Sequence, residues 1–145
     1  MKDLYALIDE YVALEPLMRG EAVLHHEICD AERVMNCVFD PLYKGIIARY
    51  GGLMLGSAPL FGLYPVPVMD ESLFSVVSVT QYYRAHDWPL GYGGYVISMD
   101  LAGNPIWIQT DGSLALYDHD LGCQVCVSHN LEGYLCDKLM SKRFD

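Results

Sequence analysis

The chain has 145 residues, 52% of them hydrophobic and 19% charged. That is the size and balance of one folded domain and excludes a disordered polymer. The formal net charge of −10 argues against direct binding of DNA or RNA, because phosphates recruit basic surfaces. It favours a basic protein partner, although the same charge also serves plain solubility.

Residues 2–14 carry Leu4, Leu7, Ile8, Tyr11 and Val12 at helical spacing, with Asp3, Asp9 and Glu10 on other sides, and predict a helix. Pro16 and Gly20 break it. Residues 21–37 give a second helical pattern through Val23, Leu24, Ile28, Ala31 and Val34, expected in two pieces. The third helix has the clearest punctuation in the chain. Asp40 suits its N-cap and Pro41 its first position. Leu42, Tyr43, Ile46, Ile47 and Tyr50 supply an apolar face, and Gly51 and Gly52 end it.

Residues 53–55 and 60–64 predict short strands around a turn, and Pro65 and Pro67 disfavour a long central strand there. Residues 71–85 predict a helix with Leu73, Phe74, Val77, Tyr82 and Tyr83 as its apolar positions. Four strands follow over 95–99, 105–109, 114–117 and 124–128. Turn signals at 100–104, 111–112 and 118–122 separate them, the pattern of an antiparallel meander. Asn130 caps a last helix with Leu131, Tyr134, Leu135 and Leu139 on one face and Lys138, Lys142 and Arg143 near its end. The expected fold is α+β: a mostly antiparallel sheet flanked by N-terminal and C-terminal helices, in a single domain over 1–145.

No apolar run approaches the roughly 18 residues of a membrane span. Met1-Lys2-Asp3-Leu4 lacks the pattern of a secretion signal, so a cytoplasmic location is expected. The five cysteines, Cys29, Cys37, Cys123, Cys126 and Cys136, are an odd number and suit free thiols in a reducing compartment. Cys123-x-x-Cys126 invites a metal reading. On a strand, positions three apart face opposite sides, so the two are expected as small buried apolar side chains, with no metal site.

Asp118-His119-Asp120 is expected to cap a turn, because aspartate bonds readily to nearby backbone amides. His25-His26 lacks a glutamate motif, and neither serines nor cysteines show a nucleophile signature. Gly91-Tyr92-Gly93-Gly94 precedes a strand instead of a helix, so it reads as a loop or tight turn and not as a phosphate cradle. The chain is therefore expected to bind without cofactor and without catalysis. Asp70, Glu71, Asp87, Asp100, Asp111, Asp118 and Asp120 fall in predicted loops or element ends. On one side of the sheet they form a negative patch for a basic partner; scattered, they are solvated turn residues. Trp88 and Tyr92, with Tyr82, Tyr83 and Tyr95, supply aromatic anchors beside that patch or pack into the core.

Three segments in order resemble the SUKH superfamily of Smi/Knr-like proteins. Ile28-Cys29-Asp30-Ala31-Glu32 resembles the family's short glutamate-bearing helix. Residues 41–52, ending in Tyr50-Gly51-Gly52, resemble its helix with a tyrosine-glycine-glycine step. Residues 95–108, then Asp111-Gly112, then Tyr117-Asp118-His119-Asp120, resemble its strand, glycine-asparagine turn, strand, aspartate-glycine turn and aspartate-histidine ending. The resemblance covers roughly residues 28–142 and leaves 1–27 as an additional N-terminal helical segment. Two places depart from it. Phe39-Asp40-Pro41 stands where the family often has leucine-proline, and Met99-Asp100-Leu101-Ala102 is poorer in acid and glycine than the family's turn. The resemblance implies a twisted antiparallel sheet packed by helices. It also implies an immunity protein that binds and neutralises a cognate bacterial toxin, often a nuclease. The alternative it carries is a regulatory protein-interaction module of the same fold, without a toxin partner.

Overall fold

A computed structural model describes residues 3–69, 75–91 and 93–143. The fold is α+β, with five α-helices and two antiparallel sheets among the described residues. Helix α1 (Leu4–Leu14) buries Leu4, Leu7, Ile8 and Val12 along one stripe, the 3.6-residue period of its sequence made physical. A 3-10 turn over Pro16–Met18 follows. The chain then runs extended, with the Gly20 N–H donating to the Gly52 carbonyl at 3.1 Å and the Val23 N–H to the Ala48 carbonyl at 3.1 Å.

Helix α2 (His25–Met35) is one piece, not the two expected from 21–37. The early part of that window is extended chain, so its apolar residues follow a different period. The helix buries Ile28, Ala31 and Met35, while Leu24 and Val34, expected on its apolar face, are each 63% exposed. Helix α3 (Pro41–Tyr50) starts and stops where its punctuation predicts. Asp40 Oδ1 accepts the Leu42 N–H at 2.9 Å, and Gly51 takes the positive φ of 76° that a side chain would resist. Glu32 joins the two helices. Its Oε2 accepts the Phe39 N–H at 2.8 Å and lies 3.2 Å from the Lys44 ammonium.

Strands β1 (Leu53–Leu55) and β2 (Ala58–Leu60) form a hairpin with Leu53 opposite Leu60. The second strand, expected over 60–64, ends where the first runs out of partners. Beyond it Gly62 lies against the end of α3, where a Cβ would sit 1.4 Å from the Gly51 carbonyl oxygen. Helix α4 (Val76–Ala85) is shorter than the predicted 71–85. The Ser75 hydroxyl caps it, accepting the Ser78 N–H at 3.0 Å. The expected apolar positions Leu73 and Phe74, and the acidic Asp70 and Glu71, lie outside the described residues.

The larger sheet is the predicted meander: β3 (Tyr95–Met99), β4 (Pro105–Ile108), β5 (Leu114–Asp118) and β6 (Cys123–Ser128), in that spatial order. Helix α5 (Leu131–Arg143) returns across it, burying Leu131, Tyr134, Leu135 and Leu139. The core runs from α1 to this sheet. Phe39, Tyr43 and Tyr95 meet at its centre with ring centroids 4.9 to 5.5 Å apart, in the tilted and edge-on geometries aromatic quadrupoles prefer. Tyr83 and Tyr95, weighed as surface anchors, are thus core residues at 3% and 2% exposure. The expectation for Cys123 and Cys126 is also corrected: both are exposed, because β6 is the outermost strand and residues 121–127 are all exposed. Among the described residues, no helix is long and apolar enough to cross a membrane.

Candidate protein-binding surface

In a meander, alternate turns share an end of the sheet. The β3–β4 turn (100–104) and the β5–β6 turn (119–122) therefore lie together, and the β4–β5 turn (109–113) lies at the far end. Each near turn is fixed by an aspartate folding onto its own backbone. Asp100 Oδ1 accepts the N–H groups of Ala102 and Asn104, both at 2.9 Å. Asp118 Oδ1 accepts those of Asp120 at 2.9 Å and Leu121 at 3.1 Å. These are the short-range bonds that make aspartate a turn former.

Asn104 ties the two turns together. Its side-chain Nδ2 donates to Asp100 Oδ2 at 2.9 Å, and its Oδ1 accepts the His119 backbone N–H at 3.1 Å. The same Oδ1 also meets the His119 ring Nδ1. A carboxylate can only accept, so the amide must present its nitrogen to Asp100 and its oxygen to His119. Nδ1 of the imidazole therefore carries a hydrogen and donates it. The other ring nitrogen, Nε2, lies 3.3 Å from Asp120 Oδ1. Partial burial works against the Asp100 carboxylate, but the hydrogen bonds from Asn104 and Ala102 outweigh it and hold its pKa below the ordinary value.

The end of α4 completes this surface. Asp87 adopts a positive φ of 59°, a conformation aspartate tolerates better than most residues. The reversal sends Trp88 back over the sheet, its ring centroid 4.9 Å from Tyr83, 5.8 Å from Tyr117 and 5.8 Å from His119. Tyr83 donates its hydroxyl to the Gly103 carbonyl at 2.6 Å, binding the helix to the β3–β4 turn.

Of the residues singled out in the sequence, Trp88, Asp100, Asp118 and Asp120 come together here, with Asp87 adjoining Trp88. Asp111 does not. It sits at the far end, where its Oδ1 accepts both the amide and the hydroxyl of Ser113, and those bonds lower its pKa. There it borders an open cleft of about 760 Å³ whose lining includes Glu32, Asp40 and Tyr95. Tyr92 lies outside the described residues. Asp100 is chiefly a turn former, since both its oxygens are engaged, whereas the Asp120 side chain is 78% exposed.

Two residues of this surface were missed in the sequence. Leu101 and Leu121 stand on the two near turns at 88% and 75% exposure. The available signal was leucine in turn positions that glycine, asparagine, aspartate and serine usually fill. Together with Trp88 and the acids they give an apolar and acidic end to the molecule, able to bury side chains and meet cations at once. Among the described residues, no three His, Cys, Asp or Glu side chains converge to hold a metal ion. None of the protein-family models matches the chain, and no curated protein matches it.

Proposed function

We propose that this chain is an immunity protein of the SUKH, Smi/Knr-like type, which binds a cognate bacterial toxin and neutralises it by covering a basic surface. The observation that carries this reading is the end of the sheet just described. Two exposed leucines stand beside Trp88, Asp118 and Asp120, on turns held rigid by internal hydrogen bonds, in a chain of net charge −10. Pre-formed turns bind without a further ordering cost, and exposed leucines gain by burial. A nuclease suits this surface as the toxin, because its own substrate demands lysine and arginine where it binds. The resemblance of residues 28–142 to the family supports the same reading, and the free thiols suit action in the cytoplasm.

The test is an affinity capture of the tagged protein from its native host, with washes at low and high salt. One basic, toxin-like protein is expected, held less well as salt rises. Asp120→Lys, at an exposed carboxylate that does not build the turn, is expected to slow association with it several-fold, on the order of tenfold, while leaving the fold intact. Unchanged association would remove this surface from the interface. Capture of a stable cellular complex, with no toxicity when the protein is deleted, would favour the regulatory module instead.

A further inference from the structure

The corner formed by the two near turns holds one titratable ring, and its tautomer is fixed. Asn104 must turn its amide oxygen to His119, because its amide nitrogen donates to Asp100. The imidazole therefore carries its hydrogen on Nδ1 and gives it to that oxygen. In the neutral ring this leaves Nε2 with a lone pair and no hydrogen. Nε2 lies 3.3 Å from Asp120 Oδ1. Two acceptors with no hydrogen between them repel, so this contact belongs to the protonated ring, in which Nε2–H donates to the carboxylate. Histidine is the side chain that ordinarily changes charge between about pH 5 and 8.

We propose that His119 is a proton-operated latch on Asp120, which makes the candidate binding surface sensitive to pH. When a proton enters at Nε2, the imidazolium draws Asp120 onto itself and adds a positive charge to the surface. When that proton leaves to solvent, Asp120 is released toward a lysine or arginine of the partner. The charged groups around the ring leave Asp120 as the one that responds. Asp100, on the β3–β4 turn, has both oxygens bonded within that turn. Asp118 is bound to the amides of Asp120 and Leu121. Asp87 precedes Trp88, whose ring centroid lies 5.8 Å from that of the imidazole. The Asp120 carboxylate does not build the turn, and its side chain is 78% exposed.

Protonation thus competes with a cationic partner for one carboxylate. By linkage, a bound lysine or arginine disfavours the imidazolium by the same factor by which the imidazolium weakens the contact. The pair is open to water, so the factor is small, about two- to fivefold. Binding of a cation at Asp120 is therefore stronger above the titration range of His119 than below it. The identity of that cation rests on the toxin reading above, whereas the latch is a property of the free chain.

NMR of the full, free chain tests the latch, with histidine ring nitrogens and aspartate carboxyl carbons followed from about pH 5.5 to 8.5. Above its titration, His119 is expected as the Nδ1–H tautomer. As the ring takes up its proton, the Asp120 carboxyl signal is expected to move with the same midpoint. That step should vanish in His119→Asn, which keeps a donor for Asn104 and loses the titration. A neutral ring with its hydrogen on Nε2, or an Asp120 signal that stays still while the ring titrates, would overturn the proposal. Hexalysine then serves as a plain cationic probe. Half-saturation of the Asp120 shift is expected at about two- to fivefold higher hexalysine below the titration of the ring than above it, relative to His119→Asn. The same pH dependence in both chains would overturn the competition. Failure to capture a toxin would remove the toxin reading and leave these measurements on the free chain as they stand.

Discussion

The two edge strands of the larger sheet are treated in opposite ways. At β3, four of five residues are buried, and the backbone groups freed by its bulge are all the more in need of partners. The Val96 N–H donates to the Thr80 hydroxyl of α4 at 2.9 Å, and the Ile97 carbonyl accepts the Phe61 N–H at 2.7 Å. At β6, five of six residues are exposed, and among the described residues nothing but β5 reaches its backbone. The same kind of element thus serves stability at one edge and remains available for pairing at the other. Coverage by α4 and the β1–β2 hairpin decides which, since the apolar content of the two strands is similar.

The strongest way to break this comparison is to cut equivalent β-branched side chains from the two edges. Ile97→Ala removes a fully buried side chain and is expected to cost about 2–5 kcal/mol of folding stability. Val125→Ala, on the open edge, is expected to change stability by no more than about 0.5 kcal/mol. Urea unfolding of dilute protein measures both. Equal losses would mean that β6 is packed in solution as β3 is.

A smaller effect isolates the hydrogen bond that seals β3. Thr80 is 0% exposed, and Thr80→Val keeps its shape while removing the acceptor of the Val96 N–H. An unpaired buried donor costs about 1–3 kcal/mol. The Val96 amide should also exchange with solvent faster, and Thr80→Ser should restore part of the protection. Unchanged exchange at Val96 would show that the hydroxyl is not what seals the edge.

How much of this was legible depended on how local each signal was. Helix α3 could be read in full, because Asp40, Pro41 and Gly51 act within a few residues of themselves. The meander could be read for the same reason: Asp100, Asp111 and Asp118 each build their own turn. The limits of α2 and β2 could not. Val23 and Leu24 continue a helical pattern on paper, but the backbone bond from Val23 to Ala48 is a tertiary choice. Exposure of Cys123, Val125 and Cys126 was hidden too. Alternating apolar residues spell a strand, and nothing in the spelling says whether a layer covers it. The separation of Asp111 from Asp100, Asp118 and Asp120 was within reach, since hairpins in series put alternate turns at opposite ends. The meeting of Trp88 with His119 was not, because it rests on the positive φ of Asp87.

The finest test uses the thiols and leaves stability alone. Burial pushes the Cys37 thiol up to about 11, and the nearby Arg84 only partly offsets this. Against the ordinary value of 9.0, that leaves about a hundredfold less thiolate near neutral pH, and thiolate is the reactive form. Cys123 and Cys126 are exposed on the open edge. A thiol-reactive reagent followed by peptide mass mapping should label these two first, and Cys37 at least about tenfold more slowly. Fast labelling of Cys37 would show that the junction of α2 and α3 opens. Slow labelling of Cys123 and Cys126 would instead show that the β6 edge is covered. The same reagent thus reports on the buried half of the comparison and on the exposed half.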